Sequence, residues 1–191
     1  MTSIRASTVL VGIAAFGLLA TPALADDITD AMDQARKAYQ AGNLGSAKQS
    51  LDLASQLIGQ KNAESFATLL PNALPGWKAE KPQTTALGSV GFGASTASRT
   101  YNNAKGDHVE VQISGDSAVV SQIAMFLNNP AMAGAMGKLV RVGNQRAIQD
   151  GDGNVKIVVA NKFLVSVEGS ADAASKLAYA QAVDVAKLAK M

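Results

Sequence analysis

The sequence predicts an α+β fold: an antiparallel sheet packed by a central and a C-terminal helix, preceded by an N-terminal helical hairpin. Three patterns support this. Before residue 71, apolar residues recur at spacings of three and four, as in amphipathic helices. Between residues 109 and 113, apolar and polar residues alternate, as in a strand with one buried face. Helical spacing returns in the alanine-rich residues 171–190.

The composition narrows the function classes. The chain has 191 residues, with 17 lysines and arginines, 15 aspartates and glutamates, one histidine and no cysteine. Its apolar content of 48% excludes a disordered chain. A net charge of +2 gives no electrostatic reason to expect nucleic acid as a partner. The lack of cysteine excludes disulfides, thiol catalysis and cysteine-ligated metals.

Residues 1–25 have the pattern of a secretory signal peptide. Arg5 is followed by twenty uncharged residues, of which 9–20 form an apolar run. Ala23 and Ala25 provide the small side chains that the signal peptidase requires. We therefore expect cleavage before Asp26 and a mature protein in the periplasm, or alternatively in the medium, with no membrane attachment. The alternative is an uncleaved anchor, since twenty uncharged residues can just span ~30 Å of hydrocarbon.

Residues 26–70 are expected to form the helical hairpin. The first predicted helix carries Ile28, Met32, Ala35 and Tyr39 on one face, and Gly42 with Asn43 ends it. A second helix begins near Ser46, and its apolar stripe contains Ala47, Leu51, Ala54, Leu57 and Ile58. Gly59 is expected to weaken this helix, so that residues 62–70 form a third helical segment before Pro71.

The first two predicted helices resemble one tetratricopeptide unit. The matching residues are Ala35, Tyr39, Gly42, Ala47, Leu51 and Ala54. The resemblance occurs once, over about 30 residues, whereas a solenoid needs about three repeats to bury a continuous core. We therefore expect an ordinary hairpin that packs on its own domain or in a dimer, with a peptide-binding groove as the alternative.

Residues 71–191 are expected to form an α+β sandwich domain. Trp77 begins its first strand, and a central helix carries Val120, Ile123, Ala124 and Leu127. The last strands, residues 155–160 and 163–168, form a hairpin whose loop has either two or three residues. A three-residue loop gathers the apolar residues on one face, and we prefer it, whereas a two-residue loop requires cover on both faces. We expect Ser170 to cap the last helix.

This domain resembles the Mog1/PsbP-like sandwiches. The resemblance lies in residues 74–77, in the central helix and in residues 161–169, which read NKFLVSVEG. The whole chain also resembles uncharacterised small exported proteins of Gram-negative bacteria. The resemblances imply an exported binding or assembly module, and they supply no functional residue.

The sequence contains few groups suited to catalysis or metal binding. His108 is the only histidine, and no Gly-x-Ser-x-Gly motif supplies a nucleophile for it. Asp150, Asp152 and Asn154 have the spacing of the first half of a calcium loop, but Asn161 stands where that loop needs a carboxylate. We interpret residues 150–154 as a hairpin turn, and we expect no catalytic residue, metal site or cofactor.

The sequence predicts one candidate ligand site. Trp77 is most simply a core anchor, but an apolar pocket between sheet and helix would be lined by Trp77, Phe92, Met125, Met132 and Met136. The three methionines also permit a weak Cu(I) site. The sequence-based hypothesis for function is an exported, non-enzymatic module that contacts a protein partner or a second copy through its N-terminal helices. A small hydrophobic-ligand carrier and a methionine-based copper-binding protein are the alternatives.

Overall fold

A computed structural model describes residues 25–86, 94–115, 120, 123–125, 134 and 137–191. Within these ranges the chain is α+β, as predicted, with two N-terminal helices, an eight-stranded antiparallel sheet and C-terminal helices on the sheet. The helices are α1 (Ala25–Gln40), α2 (Leu44–Ala67), α3 (Ala173–Ala182) and α4 (Val185–Leu188). The strands are β1 (Trp77–Ala79), β2 (Gln83–Ala86), β3 (Ser95–Asn103), β4 (His108–Gly115), β5 (Lys138–Val142), β6 (Gln145–Gln149), β7 (Val155–Val159) and β8 (Phe163–Glu168).

The helical hairpin is formed by α1 and α2. Gly42 makes the turn with φ +75°, and the Asn43 side chain accepts a hydrogen bond of 3.1 Å from the Ser46 amide at the start of α2. This cap satisfies an amide that has no partner within the helix. A three-residue connection between two helices in extensive contact makes them antiparallel.

The predicted break at Gly59 is wrong, because α2 continues through it and absorbs residues 62–67 of the expected third segment. A Cβ at Gly59 would lie 3.4 Å from Ser95 Oγ and 3.6 Å from the Ala86 side chain. At this point α2 therefore lies within van der Waals reach of β2 and β3. The tertiary contacts of α2 outweigh the roughly 1 kcal/mol that glycine costs in a helix interior.

The sheet has the strand order β1-β3-β4-β8-β7-β6-β5, and β2 also pairs with β3. In the terminal hairpin, Val159 pairs with Phe163, which leaves three residues in the loop and confirms the preferred register. Ala160 and Asn161 have positive φ, as a tight hairpin turn requires at its central positions. The main core is continuous across β3, β4, β8 and β7, and α2, α3 and α4 supply its cover.

The sheet is also covered on its second face, which the preferred register did not lead us to expect. Ile148 is buried there and packs with Val158 and with Ile123 of the central segment. The strand neighbours of Ile148 and Val158 belong to the main core, so these two residues point to the opposite side. Residues 120 and 123–125 are helical, as predicted, whereas Leu127 lies outside the described residues.

The C-terminal helix differs from the prediction, because it is divided into α3 and α4. Asp172, and not Ser170, caps α3 by accepting a 2.7 Å hydrogen bond from the Ser175 amide. Asp184 caps α4 in the same way, with a bond of 2.9 Å from the Lys187 amide. Val183 is extended between the helices and is buried, so the break directs it into the core.

Candidate interaction surface

The helical hairpin exposes six large apolar side chains. Their relative exposures are Met32 50%, Tyr39 67%, Leu44 66%, Leu51 56%, Leu53 46% and Ile58 38%. Met32, Tyr39, Leu51 and Ile58 belong to the apolar stripes that the sequence analysis identified in these helices. The structure shows that these four side chains are not in the core of the single chain.

Alanines explain this exposure. The two helices pack through Ala31, Ala35, Ala47 and Ala54, all of which are buried. Small side chains let the helix axes approach closely, and the larger apolar residues beside them are then left on the flanks. The hairpin thus buries the small members of its apolar stripes, leaves Ile28 and Leu57 half-buried, and presents the other large members to solvent.

Five of the six side chains lie on one side of the hairpin. Met32 and Tyr39 are seven residues apart, and so are Leu44, Leu51 and Ile58, so each set forms one row along its helix. Tyr39 lies four residues after Ala35, and Leu51 and Ile58 lie four residues after Ala47 and Ala54. Because the helices are antiparallel, the same rotational offset from the buried alanines places both rows on the same side. We call these five residues, Met32, Tyr39, Leu44, Leu51 and Ile58, the hairpin patch.

Leu53 lies on the other side of the hairpin. It comes one residue before Ala54, whereas the hairpin patch follows the alanines, so it is rotated in the opposite sense. Its exposure of 46% is close to that of the hairpin-patch residues. Leu53 is therefore a matched internal control for experiments on this surface.

The hairpin patch is similar in area to the largest apolar patch of a typical monomer. Its exposed fractions correspond to roughly 500 Å² of accessible surface, if a large apolar side chain exposes about 200 Å² when free. The largest apolar patch on a typical monomer measures about 300–600 Å² and is often functional. The hairpin patch belongs to the upper part of that range.

Charged side chains accompany the apolar rows. Arg36 pairs with Asp33 at 3.0 Å, and Lys48 pairs with Asp52 at 2.7 Å. All four side chains are about half exposed or more, so these pairs contribute little to stability. They place both signs of charge along the helices that carry the hairpin patch, as at the polar rim of a protein interface.

Two buried tyrosines hold the segment that joins the hairpin to the sheet. Tyr101 Oη donates a 2.6 Å hydrogen bond to the Pro71 carbonyl, and Tyr179 Oη accepts one of 3.2 Å from the Leu74 amide. The two rings are 4.3 Å apart, and burial raises the pKa of Tyr101 to about 12. At the end of α2, Phe66 packs edge-to-face on Phe163 with ring centroids 5.6 Å apart. These contacts position the hairpin on the sheet domain.

The structure brings a serine to the only histidine, a contact that the sequence analysis missed. Ser170 Oγ lies 3.0 Å from His108 Nδ1, and it also accepts a hydrogen bond of 3.0 Å from the His108 backbone amide. In the described part of the chain, no carboxylate hydrogen-bonds this ring, so the third member of a catalytic triad is not present there. The Ala171 amide adds a bond to the His108 carbonyl, and together these contacts join β4 to the segment before α3.

The loop with calcium-like spacing holds a lysine. Lys176 is buried, and its Nζ donates to the Asp152 carbonyl at 2.8 Å and to Asn154 Oδ1 at 2.9 Å. Burial opposes ionisation of Asp150, but hydrogen bonds from Asn154 and Asp152 outweigh it and lower the pKa of its carboxyl group. The oxygens of this loop therefore bind an ammonium group and backbone amides, which supports its interpretation as a turn.

The residues of the predicted ligand pocket are only partly described. Trp77 packs edge-to-face on Tyr179, with ring centroids 5.4 Å apart, and is a half-buried residue at the edge of the main core. Met125 is exposed, and Ile123, two residues before it, packs on the second face of the sheet. Trp77 and Met125 thus lie on different sides of the sheet, and Phe92, Met132 and Met136 lie outside the described residues, so the carrier and copper alternatives remain predictions.

The signal-peptide residues are also mostly outside the described ranges. Residues 1–24, including Ala23, are not described, whereas α1 begins at Ala25. No helix within the described ranges is long and apolar enough to cross a membrane. Nor do those ranges hold a cluster of three or more histidine, aspartate or glutamate residues arranged for a metal ion.

Comparison of the chain with protein-family models, with curated proteins and with solved structures finds no match.

Proposed function

We propose that the protein is an exported, non-enzymatic interaction module whose hairpin patch contacts another polypeptide. The single observation that carries the proposal is the exposure of five large apolar side chains on one side of the hairpin. Leaving roughly 500 Å² of apolar surface in water costs free energy that a partner recovers by covering it.

The arrangement of the sheet domain supports this role. Phe66, Tyr101 and Tyr179 fasten the end of α2 and the following segment to the sheet, so the hairpin is held by a packed scaffold. A surface that is held in position loses less conformational entropy on binding than a flexible one. The sheet domain would therefore serve as the support and the hairpin as the contact element.

Export is part of the proposal. Cleavage after Ala25 would remove only one residue of α1, so the described fold would be retained almost entirely after processing. The charge pattern also changes at this point, from twenty uncharged residues to the adjacent Asp26 and Asp27. Both features are consistent with a mature chain that begins where α1 begins.

Replacement of Ala25 tests export. Ala25→Phe should stall processing and accumulate a larger, membrane-held form, because the peptidase requires a small residue there. Ala25→Ser is the matched control and should be processed. N-terminal sequencing of the natural product should begin at Asp26, and a product that begins at Met1 or Thr2 in the cytoplasmic fraction would contradict export.

Photocrosslinking in living cells tests the contact. A photoreactive amino acid at position 51 should form adducts with a polypeptide, because Leu51 lies in the middle of the hairpin patch. The same group at position 53 should form few adducts, because Leu53 has similar exposure on the opposite side. Equal adduct yields at positions 51 and 53, or none at either, would overturn the proposed function.

A further inference from the structure

We infer that the polypeptide on the hairpin patch is a second copy of this chain, docked antiparallel so that two hairpins form a four-helix bundle. The inference rests on the proposed function and identifies the partner. Three features support it: the area of the hairpin patch, the spacing of its rows, and the length of its rows.

The area meets the requirement of a dimer. A two-fold interface uses the same surface on both copies, so two hairpin patches together bury roughly 1,000 Å² before any flanking residue is counted. Specific interfaces bury about 1,000 Å² or more in total. The hairpin patch alone thus reaches the size of a specific interface between two copies.

The spacing of the rows fits helix-on-helix packing. Leu44, Leu51 and Ile58 recur at intervals of seven, the repeat with which helices interdigitate at a small crossing angle. Met32 and Tyr39 have the same interval on α1. The two rows on one copy thus offer a ridged surface that helices of the same kind can cover, as in bundles built from hairpins.

The length of the rows favours the antiparallel arrangement. A two-fold axis perpendicular to the helices places the three-residue row of α2 against the same row of the other copy, so that each of its side chains meets a counterpart. A parallel arrangement would place this row against the two-residue row of α1 instead.

The antiparallel arrangement determines which residues of the two copies lie opposite each other. Leu51 lies midway between Leu44 and Ile58, so the two-fold axis passes near it. Leu44 then faces Ile58 of the other copy. The two copies of Leu44 are separated by about 21 Å along the helices, the rise of fourteen residues.

The first test measures molar mass by sedimentation with the purified full chain. The wild type should be a dimer, and Leu51→Glu should raise the dimer dissociation constant at least about 30-fold, since it places a charge at the centre of the interface. Leu53→Glu, on the opposite side, should remain dimeric. A dimer that is unaffected by Leu51→Glu would overturn the inference.

The second test uses the absence of cysteine, which makes an introduced thiol unique. A short bismaleimide should crosslink Leu51→Cys to itself, and Leu44→Cys to Ile58→Cys when the two variants are mixed. Leu44→Cys alone should give little product because of the 21 Å separation estimated above. Efficient self-crosslinking of Leu44→Cys would indicate a parallel dimer and overturn the inference.

The two proposals fail in different ways. If the wild type is a monomer while position 51 crosslinks to a different protein in cells, the inference that the partner is a second copy is wrong and the proposed function stands. If the wild type is a monomer and position 51 gives no adducts, both are wrong. A dimer together with adducts of twice the chain mass supports both.

Discussion

Phe66→Ala should uncouple the helical hairpin from the sheet. Phe66 is 1% exposed, closes the end of α2 and packs on Phe163. Burial of about 150–200 Å² at ~25 cal/mol per Å² stabilises the fold by about 4–5 kcal/mol, and the aromatic pair adds about 1 kcal/mol. Because the site relaxes in part, we expect the free energy of unfolding to fall by about 3–5 kcal/mol.

Urea unfolding followed by Trp77 fluorescence measures this loss. Trp77 is the only tryptophan and packs on Tyr179, so its signal reports the sheet core. Leu53→Ala, on the same helix but exposed, is the control and should change the free energy of unfolding by less than about 0.5 kcal/mol. A loss below about 1.5 kcal/mol for Phe66→Ala would refute the view that this ring anchors the hairpin.

Three further predictions concern the sheet domain. Gly153→Ala should lower the free energy of unfolding, measured with urea, by at least about 2 kcal/mol, because φ is +81° and the new Cβ would lie 2.7 Å from Ala173 Cα. Gly151→Ala is the control and should change the free energy of unfolding little, because its Cβ would point into open space. Burial raises the pKa of the Tyr101 hydroxyl in the folded protein from 10.0 to about 12, so the hydroxyl loses its proton more easily in the unfolded chain. The free energy of unfolding should therefore fall as the pH rises from 10 to about 12. Tyr101→Phe should flatten this part of a stability–pH profile. Calcium at about 1 mM should leave the Tm unchanged, because Lys176 already binds the oxygens of residues 152 and 154; a rise of several degrees would contradict this.

The elements that could be predicted from the sequence are those in which apolar residues recur at a regular interval. Alternation over residues 155–167 predicted the register of the terminal hairpin, because a slip of one residue would turn every side chain to the other face. Helical spacing likewise predicted α1 and the start of the hairpin. These patterns depend on local geometry and need no knowledge of distant contacts.

The features that the sequence analysis missed depend on distant residues. Gly59 predicts a weak point from helix propensity alone, but α2 continues through it and packs on β2 and β3, strands that lie more than twenty residues further along the chain. Nothing in the local sequence around Lys176 predicts that it is buried against the loop at residues 152–154. The division of the last helix at Asp184 also reflects the core, which takes up Val183 and Leu188 on either side of the break.

The hairpin patch was identified only in part. Spacing showed which residues share a face of each helix, but it did not show that alanines would be the fully buried members between α1 and α2. The exposure of Leu51 and Ile58 follows from the packing of two helices, which a single helical wheel does not represent. The surface on which the proposed function depends therefore became visible only in three dimensions.

Methionine oxidation of the native assembly tests the central claim most directly. Met32, in the hairpin patch, is 50% exposed in the single chain, and Met191, at the opposite end of the sequence, is 47% exposed. If a polypeptide covers the hairpin patch, brief peroxide treatment should oxidise Met32 several-fold more slowly than Met191, and Leu51→Glu should make the two rates equal. Equal oxidation rates of Met32 and Met191 in the wild-type assembly would contradict the claim that the hairpin patch is a contact surface.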